Sequence, residues 1–457
     1  MFRFDIRIKC LYPSLLLPKF MNSLYAPLLV RYVSATGILV HLLLASMFIG
    51  TITLAVVSEG IYAYIKDARW LDTAKMFGRV AGIFLGTGAA FGTLVEFGLV
   101  TIWSNFVSIM GSALVLPFYI ELYAFLFEVI FIVFYEFTWN KLGRGVHLTL
   151  GALAAFGAYF SAYNILAVMS SLSMAPPGLM IKQADIGGLI SYVAVFQSPT
   201  QVFNMYWWGA QVFIWHGMLA ATILSWSIVA SIYVYKYLHG RDPHHLAILR
   251  IMIPTIAVLT AIEGFLLGHD QGELVLSADP LKLAAMEGMF WSGLKVDPLL
   301  SFFAFGTTNH AFWGYYTWPA SIRPPAFLPF FYLVLMVGLG AAIGGWAAIT
   351  GLYLLLKREP PTWWFKLGYA LGPAAGLASI GGAVTSETGR NPFILVQNLG
   401  GNPPTITGVP VSAIYNPTIA VSPLLAAAIL LVILAIPGLT AYMLYLATRP
   451  RKTGGEP

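Results

Sequence analysis

A single cysteine, Cys10, is all the thiol chemistry available to this 457-residue chain. That excludes an internal disulfide, a Cys-x-x-Cys-His haem attachment and a thiolate-held iron–sulfur cluster, so any metal must be held by nitrogen, oxygen or thioether. Charge is scarce as well: Asp, Glu, Lys and Arg make up 10% of the residues, against 58% hydrophobic. The apolar residues are gathered into many runs of roughly 18 residues or more, each long enough to cross a hydrocarbon core. The net charge of +6 fits loop lysines and arginines facing anionic lipid. No segment resembles a nucleic-acid module, and no nucleic-acid partner is expected. The N-terminal stretch carries Arg3, Arg7 and Lys9 without a clean apolar core or small-residue cleavage site, so no cleavable signal is expected.

Runs between charged or Pro/Gly-rich breaks predict nine transmembrane helices, at 36–58, 80–103, 112–136, 147–169, 207–235, 247–268, 327–356, 363–388 and 421–447. The expected fold class is an all-α polytopic membrane protein, a nine-helix bundle with an external loop between the sixth and seventh helices. Its parts are an interfacial N-terminal extension (1–35), helices one to six (36–268), the external loop (269–326), helices seven to nine (327–448) and a cytoplasmic tail (449–457). Lys and Arg gather after the odd-numbered helices and are sparse after the second, fourth and eighth. The positive-inside rule then puts the N-terminus outside and the C-terminus in the cytoplasm of a prokaryotic cell, against the pull of a basic N-terminal tail. The Pro/Gly-rich stretch 389–420 reads as an ordered external loop.

An ionisable or ligating side chain inside a span is expensive and is therefore a functional candidate. Of eight histidines, six fall at predicted helix ends or in loops, and only His41 and His216 lie within spans. His216, in "AQVFIWHGM", and Met336 each lie about nine residues from the outer end of their helices, roughly 13 Å deep at 1.5 Å per residue. An imidazole opposite a thioether at one depth is a low-spin haem pair. His41, Glu96 in "GTLVEFGLVTIW" and Glu387 share the outer third of the bilayer, and Arg390 follows Glu387 closely enough to meet an anionic group such as a haem propionate. In the third span Glu121, Glu128 and Glu136 are spaced by seven and eight residues, which predicts carboxyls stacked on one face, as in a proton relay. In the external loop, Lys282 and Glu287 flank an amphipathic "LAAM" that could receive a polar head group.

These stretches together resemble the first subunit of the cytochrome bd-type quinol oxidases, in matching order from about residue 31 to 395. "RYVSATGILVH" resembles the segment with the family's first-helix histidine, which implies His41 as a high-spin haem ligand. "LVEFGLVTIWS" is similar to the family's glutamate segment at that site, giving Glu96. "AQVFIWH" and "LVLMVGLG" resemble the two segments that ligate the low-spin haem b, giving His216 and Met336. "LKLAAMEG" is similar to the quinol-loop signature, with Lys282 and Glu287 on its quinol-linked positions. "ETGRNPF" resembles the segment that gives Glu387 as a high-spin ligand, with Arg390 beside it, and Glu121 and Glu128 fall where the family carries proton-path acids. The chain departs from well-known members at Val334, where they have arginine, and at Ala383, where they have tryptophan. The resemblance implies a divergent haem-containing quinol oxidase subunit carrying a low-spin haem b and a pair of high-spin haems, b-type and d-type or both b-type. Quinol and dioxygen would be its substrates, and a second membrane subunit with small single-span subunits its partners. Rival readings are a haem b subunit with altered or lost oxygen reduction, and a proton-coupled transporter, which would also keep intramembrane acids.

Overall fold

Apolar runs of this length become helices because lipid offers the backbone no hydrogen-bond partners, and only a helix satisfies each amide within its own segment. The computed structural model describes residues 19–101, 103–186, 189–414 and 423–448. The long helices are α1 (Lys19–Ile65), α2 (Ala68–Thr101), α3 (Ser104–Phe137), α4 (Arg144–Ser173), α5 (Trp208–Gly240) and α6 (Pro243–Ile262). There follow α7 (Gly268–Ala278), α8 (Pro280–Met286), α9 (Pro298–Phe305), α10 (Phe327–Leu355), α11 (Thr362–Lys366), α12 (Leu371–Gly389), α13 (Val411–Ile414) and α14 (Pro423–Thr448). Among the described residues, nine helices are long and apolar enough to cross a membrane, the number the apolar runs predict.

Several boundaries differ from that expectation; α2, for one, begins at Ala68 rather than 80. The sixth span does not stop at 268: α6 passes through one π-helical turn, Glu263–Leu267, into α7 and ends at Ala278. Hydropathy cuts this helix short because its last turns carry His269, Asp270 and Glu273. The eighth span is broken, with a 3-10 turn at Leu367–Ala370 between α11 and α12. The first helix begins at Lys19, inside the expected extension, and residues 1–18 and the tail 449–457 lie outside the described residues.

Helix packing arranges the spans as two four-membered rings. In the first, α1, α2, α3 and α4 each pack on the next, and α4 closes back on α1; in the second, α5, α6, α10 and α12 do the same. In neither ring are the diagonal helices in close contact, and α5 joins the rings by packing on α1 and α4. The ninth span, α14, lies against α1 and α2.

Spans alternate in direction, so the ends of the second, fourth, sixth and eighth lie at one face, and that face carries the extramembrane structure. An antiparallel hairpin, β1 (Leu179–Ile186) with β2 (Leu189–Phe196), follows α4. A short pair, β3 (Leu294–Val296) with β4 (Ala311–Trp313), flanks α9. Within the stretch 389–420, expected as an ordered external loop, β5 (Phe393–Gly401) and β6 (Pro404–Pro410) form a bulged hairpin. This last hairpin ties the cap together: Ala175 N donates to Val396 O at 2.9 Å, Gln397 Nε2 to Leu179 O at 3.1 Å, Asn398 Nδ2 to Ser277 O at 2.9 Å, and Trp318 Nε1 to Pro404 O at 2.8 Å.

Candidate functional site

In the first ring, His41 on α1 places Nδ1 3.0 Å from the carbonyl oxygen of Gly88 on α2. A carbonyl only accepts, so Nδ1 carries the proton and the lone pair of a neutral ring is left on Nε2, as metal-binding histidines require. The imidazole fits because its neighbour is Gly92, where a Cβ would stand 3.2 Å from His41 Cε1. Glu96 belongs to α2, and its side chain lies outside the described residues.

The acids of α3 do not form a single ladder. Glu121 accepts from Ser161 Oγ of α4 at 3.2 Å, and buried Glu128 packs its backbone against Gly157 of α4, where a Cβ would come within 2.9 Å of it. Glu136 instead meets Gly78 of α2 and accepts from the Trp139 indole at 3.4 Å. The spacing accounts for the correction: seven residues bring a helix back to within about 20° of the same face, whereas eight overshoot by about 80°.

An acid that the predicted spans leave aside is the most deeply buried one among the described residues. Glu59, with no exposed surface, accepts from Arg144 Nη1 at 3.0 Å and sits 2.8 Å from His147 Nδ1, while His147 Nε2 donates to Tyr135 O at 3.0 Å. Its position one residue beyond the predicted first span, and those of its partners at a predicted helix end, concealed the cluster.

In the second ring, His216 of α5 and Met336 of α10 stand on diagonally opposed helices, separated by α6 and α12. The Met336 sulfur reaches toward α12 at Gly382, where a Cβ would come within 2.9 Å of it. His216 meets a residue that sequence reasoning missed: Glu263, whose Oε1 is 2.8 Å from His216 Nδ1. The distance suits a hydrogen bond but the N–H is not aligned, and neither His216 Nδ1 nor Glu263 Oε2 has a hydrogen bond among the described residues. Glu263 lies inside the sixth predicted span and met the same criterion of an acid within lipid that singled out Glu96. Val334, at the position of the family arginine, is 56% exposed on the outer surface of α10.

The cap brings the loop residues to the end of this ring. Lys282 and Glu287 do not share a solvated face: Lys282 is buried and Glu287 is exposed. Asp279, also buried, caps α8 by accepting from Lys282 N at 2.9 Å. The Lys282 side chain lies along Gly389, and its Nζ donates to Ser386 O at 3.3 Å, in the last turn of α12 where helix carbonyls favour a cation. Burial pushes the lysine down to about 8, against the pull of Asp279, and pushes the Asp279 carboxyl up to about 6. Next along α12, Glu387 is bound by Arg390, whose buried Nε has no hydrogen bond among the described residues. The loop lysine and the Glu387–Arg390 pair thus adjoin.

Among the described residues no three His, Cys, Asp or Glu side chains converge on one point. Iron held by His41, or by His216 with Met336, would need a macrocycle to complete its coordination. A haem suits these surroundings: glycines bring the backbone close to the imidazole and the thioether, and an orphaned guanidinium nitrogen stands beside Glu387.

A model of the family described as cytochrome bd terminal oxidase subunit I matches residues 29–453. The putative cytochrome bd menaquinol oxidase subunit I of Bacillus subtilis is 25% identical over 401 residues, covering 81% of this chain and 87% of that protein. The cytochrome bd ubiquinol oxidase subunit 1 of the same organism is 26% identical over 408 residues, 80% and 83% of the two chains. The cytochrome bd-II ubiquinol oxidase subunit 1 of Escherichia coli is 30% identical over 260 residues, 56% of this chain and 49% of that one. The solved bd oxidase structure from Geobacillus thermodenitrificans has the same fold, with a TM-score of 0.79 at 24% identity over 93% of this chain and 98% of that one.

Proposed function

The chain belongs to the cytochrome bd terminal oxidase subunit I family, and on that premise we propose that it oxidises membrane quinol at the outer face and reduces dioxygen to water with protons drawn from the inside. The observation that carries the reading is the seating of Lys282 on the last turn of α12, beside Glu387 and Arg390. It places a loop cation suited to a quinol oxygen next to a candidate haem ligand.

When bound, haem supplies the electron transfers and the oxygen chemistry. His216 and Met336 would hold a low-spin haem b, and His41, Glu96 and Glu387 a high-spin pair, b-type with d-type or both b-type. Arg390 would neutralise a propionate through its free Nε. Lys282 donates to the bound quinol, and exposed Glu287 takes the released proton to the outer aqueous phase. Glu121 and Glu128, both toward α4, hold protons on the way to the oxygen site. The N-terminus lies outside, the C-terminus in the cytoplasm, and the loop between α7 and α10 at the outer face. The second membrane subunit and small single-span subunits complete the oxidase.

Two measurements on the purified protein test this reading. A dithionite-reduced minus air-oxidised spectrum, with extraction of the haems, is expected to show low-spin haem b together with high-spin haem. Oxygen uptake with a reduced quinol is expected, and it should collapse in Glu96→Ala. A folded, haem-free protein would sink the proposal, and haem b with quinol oxidation but no oxygen uptake would remove its oxygen-reducing half.

The lowered Lys282 ammonium sets a pH limit. Above about pH 8 it loses its charge and with it the charge-assisted part of its bond to a quinol oxygen, so KM for quinol should rise through that pH. In Lys282→Arg, with a side chain that stays protonated, the rise should be absent up to about pH 10. An unchanged limb in the arginine variant would assign it to another group.

A further inference from the structure

The sixth span crosses the second ring with a wide turn in it. From Glu263 to Leu267 the helix is π-helical, and Gly268 N donates back to Glu263 O across five residues. Such turns give up regular helix hydrogen bonding and occur frequently at functional sites. This one packs on α5 and α10, the helices of His216 and Met336. Gly268 is what lets it close, since a Cβ there would stand 2.9 Å from the Glu263 carbonyl oxygen.

The turn presents a carboxylate within lipid depth to a single imidazole nitrogen. Glu263 Oε1 is 2.8 Å from His216 Nδ1, both side chains are largely enclosed, and the two orphaned atoms, Nδ1 and Oε2, belong to this one pair. An acid in a span costs several kcal/mol unless it has a partner, which makes an idle Glu263 implausible on energetic grounds. A turn of the imidazole about its Cβ–Cγ bond would direct the Nδ1 N–H at this carboxylate and leave Nε2 for a ligand.

Resting on the reading of His216 as the low-spin haem ligand, we propose that Glu263 is its positioning residue: the carboxylate accepts a hydrogen bond from Nδ1–H, fixes the tautomer that leaves Nε2 for iron, and makes the imidazole a stronger donor. Carboxylate partners of metal-bound histidines act in this way, raising ligand basicity and favouring the oxidised metal. Glu263 therefore holds the low-spin haem at a lower potential than a neutral partner would.

Potentiometric titration of the low-spin haem band in wild type, Glu263→Gln, Glu263→Asp and Gly268→Ala decides the matter, with the ferric electron paramagnetic resonance spectrum as a second readout. In Glu263→Gln the haem should remain low-spin while the equilibrium moves about tenfold toward the reduced form, which is 59 mV for a one-electron couple. Glu263→Asp should recover part of that shift, and Gly268→Ala, which disturbs the turn without touching the carboxyl, should move the potential in the same direction by less. Full low-spin haem in Glu263→Gln with its potential and ferric spectrum unchanged would overturn the proposal. A wild-type protein without a low-spin haem that depends on His216 would instead overturn the ligand assignment on which it rests.

Discussion

His216→Ala should abolish the low-spin haem band while leaving high-spin haem in place, and quinol oxidation should fall by at least about 100-fold, about 2.7 kcal/mol of transition-state stabilisation. The size follows from the site. A low-spin haem needs both axial ligands, and the described ring offers no substitute: Glu263 lies on the far side of the imidazole from Nε2, and the Met336 thioether is on the diagonal helix. Alanine also leaves the buried Glu263 carboxyl without its partner, so some loss of stability should accompany the loss of haem. Haem extraction and the reduced-minus-oxidised spectrum of the variant, purified beside the wild type, check both parts. Retention of the low-spin band would move its histidine ligand elsewhere and leave the His216–Glu263 pair as a structural contact.

Glu59→Ala should be the most destabilising single change in the first ring. Glu59 is the common acceptor for Arg144 and His147 and has no exposed surface. Removing one partner of a buried ionic cluster costs about 3–5 kcal/mol, because the remaining charge is left without compensation. The lower end applies here: the Arg144 side chain is 29% exposed, so it reaches water, and it stands over the Tyr62 ring at 4.8 Å. Glu59→Gln keeps an acceptor for His147 and should cost less, about 1–2 kcal/mol. Thermal inactivation midpoints measured in one detergent should fall in the order wild type, Gln, Ala. An alanine variant as stable as the wild type would show that the cluster carries no net stabilisation.

Much of the fold was legible because lipid imposes a length and an apolar composition on every span, and both are local properties of a sequence. The nine helices followed from them, whereas the hairpin β5–β6 did not: its residues are mixed in character and ordered by contacts with α4, α7 and the loop after α9. The same division runs through the site. His41 and His216 stood out as polar residues within apolar runs. Glu263 met that criterion equally, but nothing local in the sequence shows that it meets His216, since that contact depends on the packing of the sixth span against α5. Glu136 was placed on the wrong face because an eight-residue spacing, which overshoots by about 80°, does not return to it. The burial of Lys282 could not be read from "LAAMEG", since a short amphipathic helix looks the same whether its polar side meets water or the end of another helix.

By itself, the sequence determined the nine apolar spans found among the described residues, that one cysteine cannot hold a thiolate cluster, and which few polar side chains stand at lipid depth. The physical reason is that hydrocarbon penalises each unsatisfied backbone group and each charge residue by residue, which writes the outcome into local composition. Only the tertiary structure decided that α5, α6, α10 and α12 close one ring, that a π-helical turn brings Glu263 to His216, and that Lys282 seats itself on the last turn of α12. Those facts depend on which helices pack together, and that is settled by contacts between side chains far apart in the chain, for which no local period or hydropathy carries a signal.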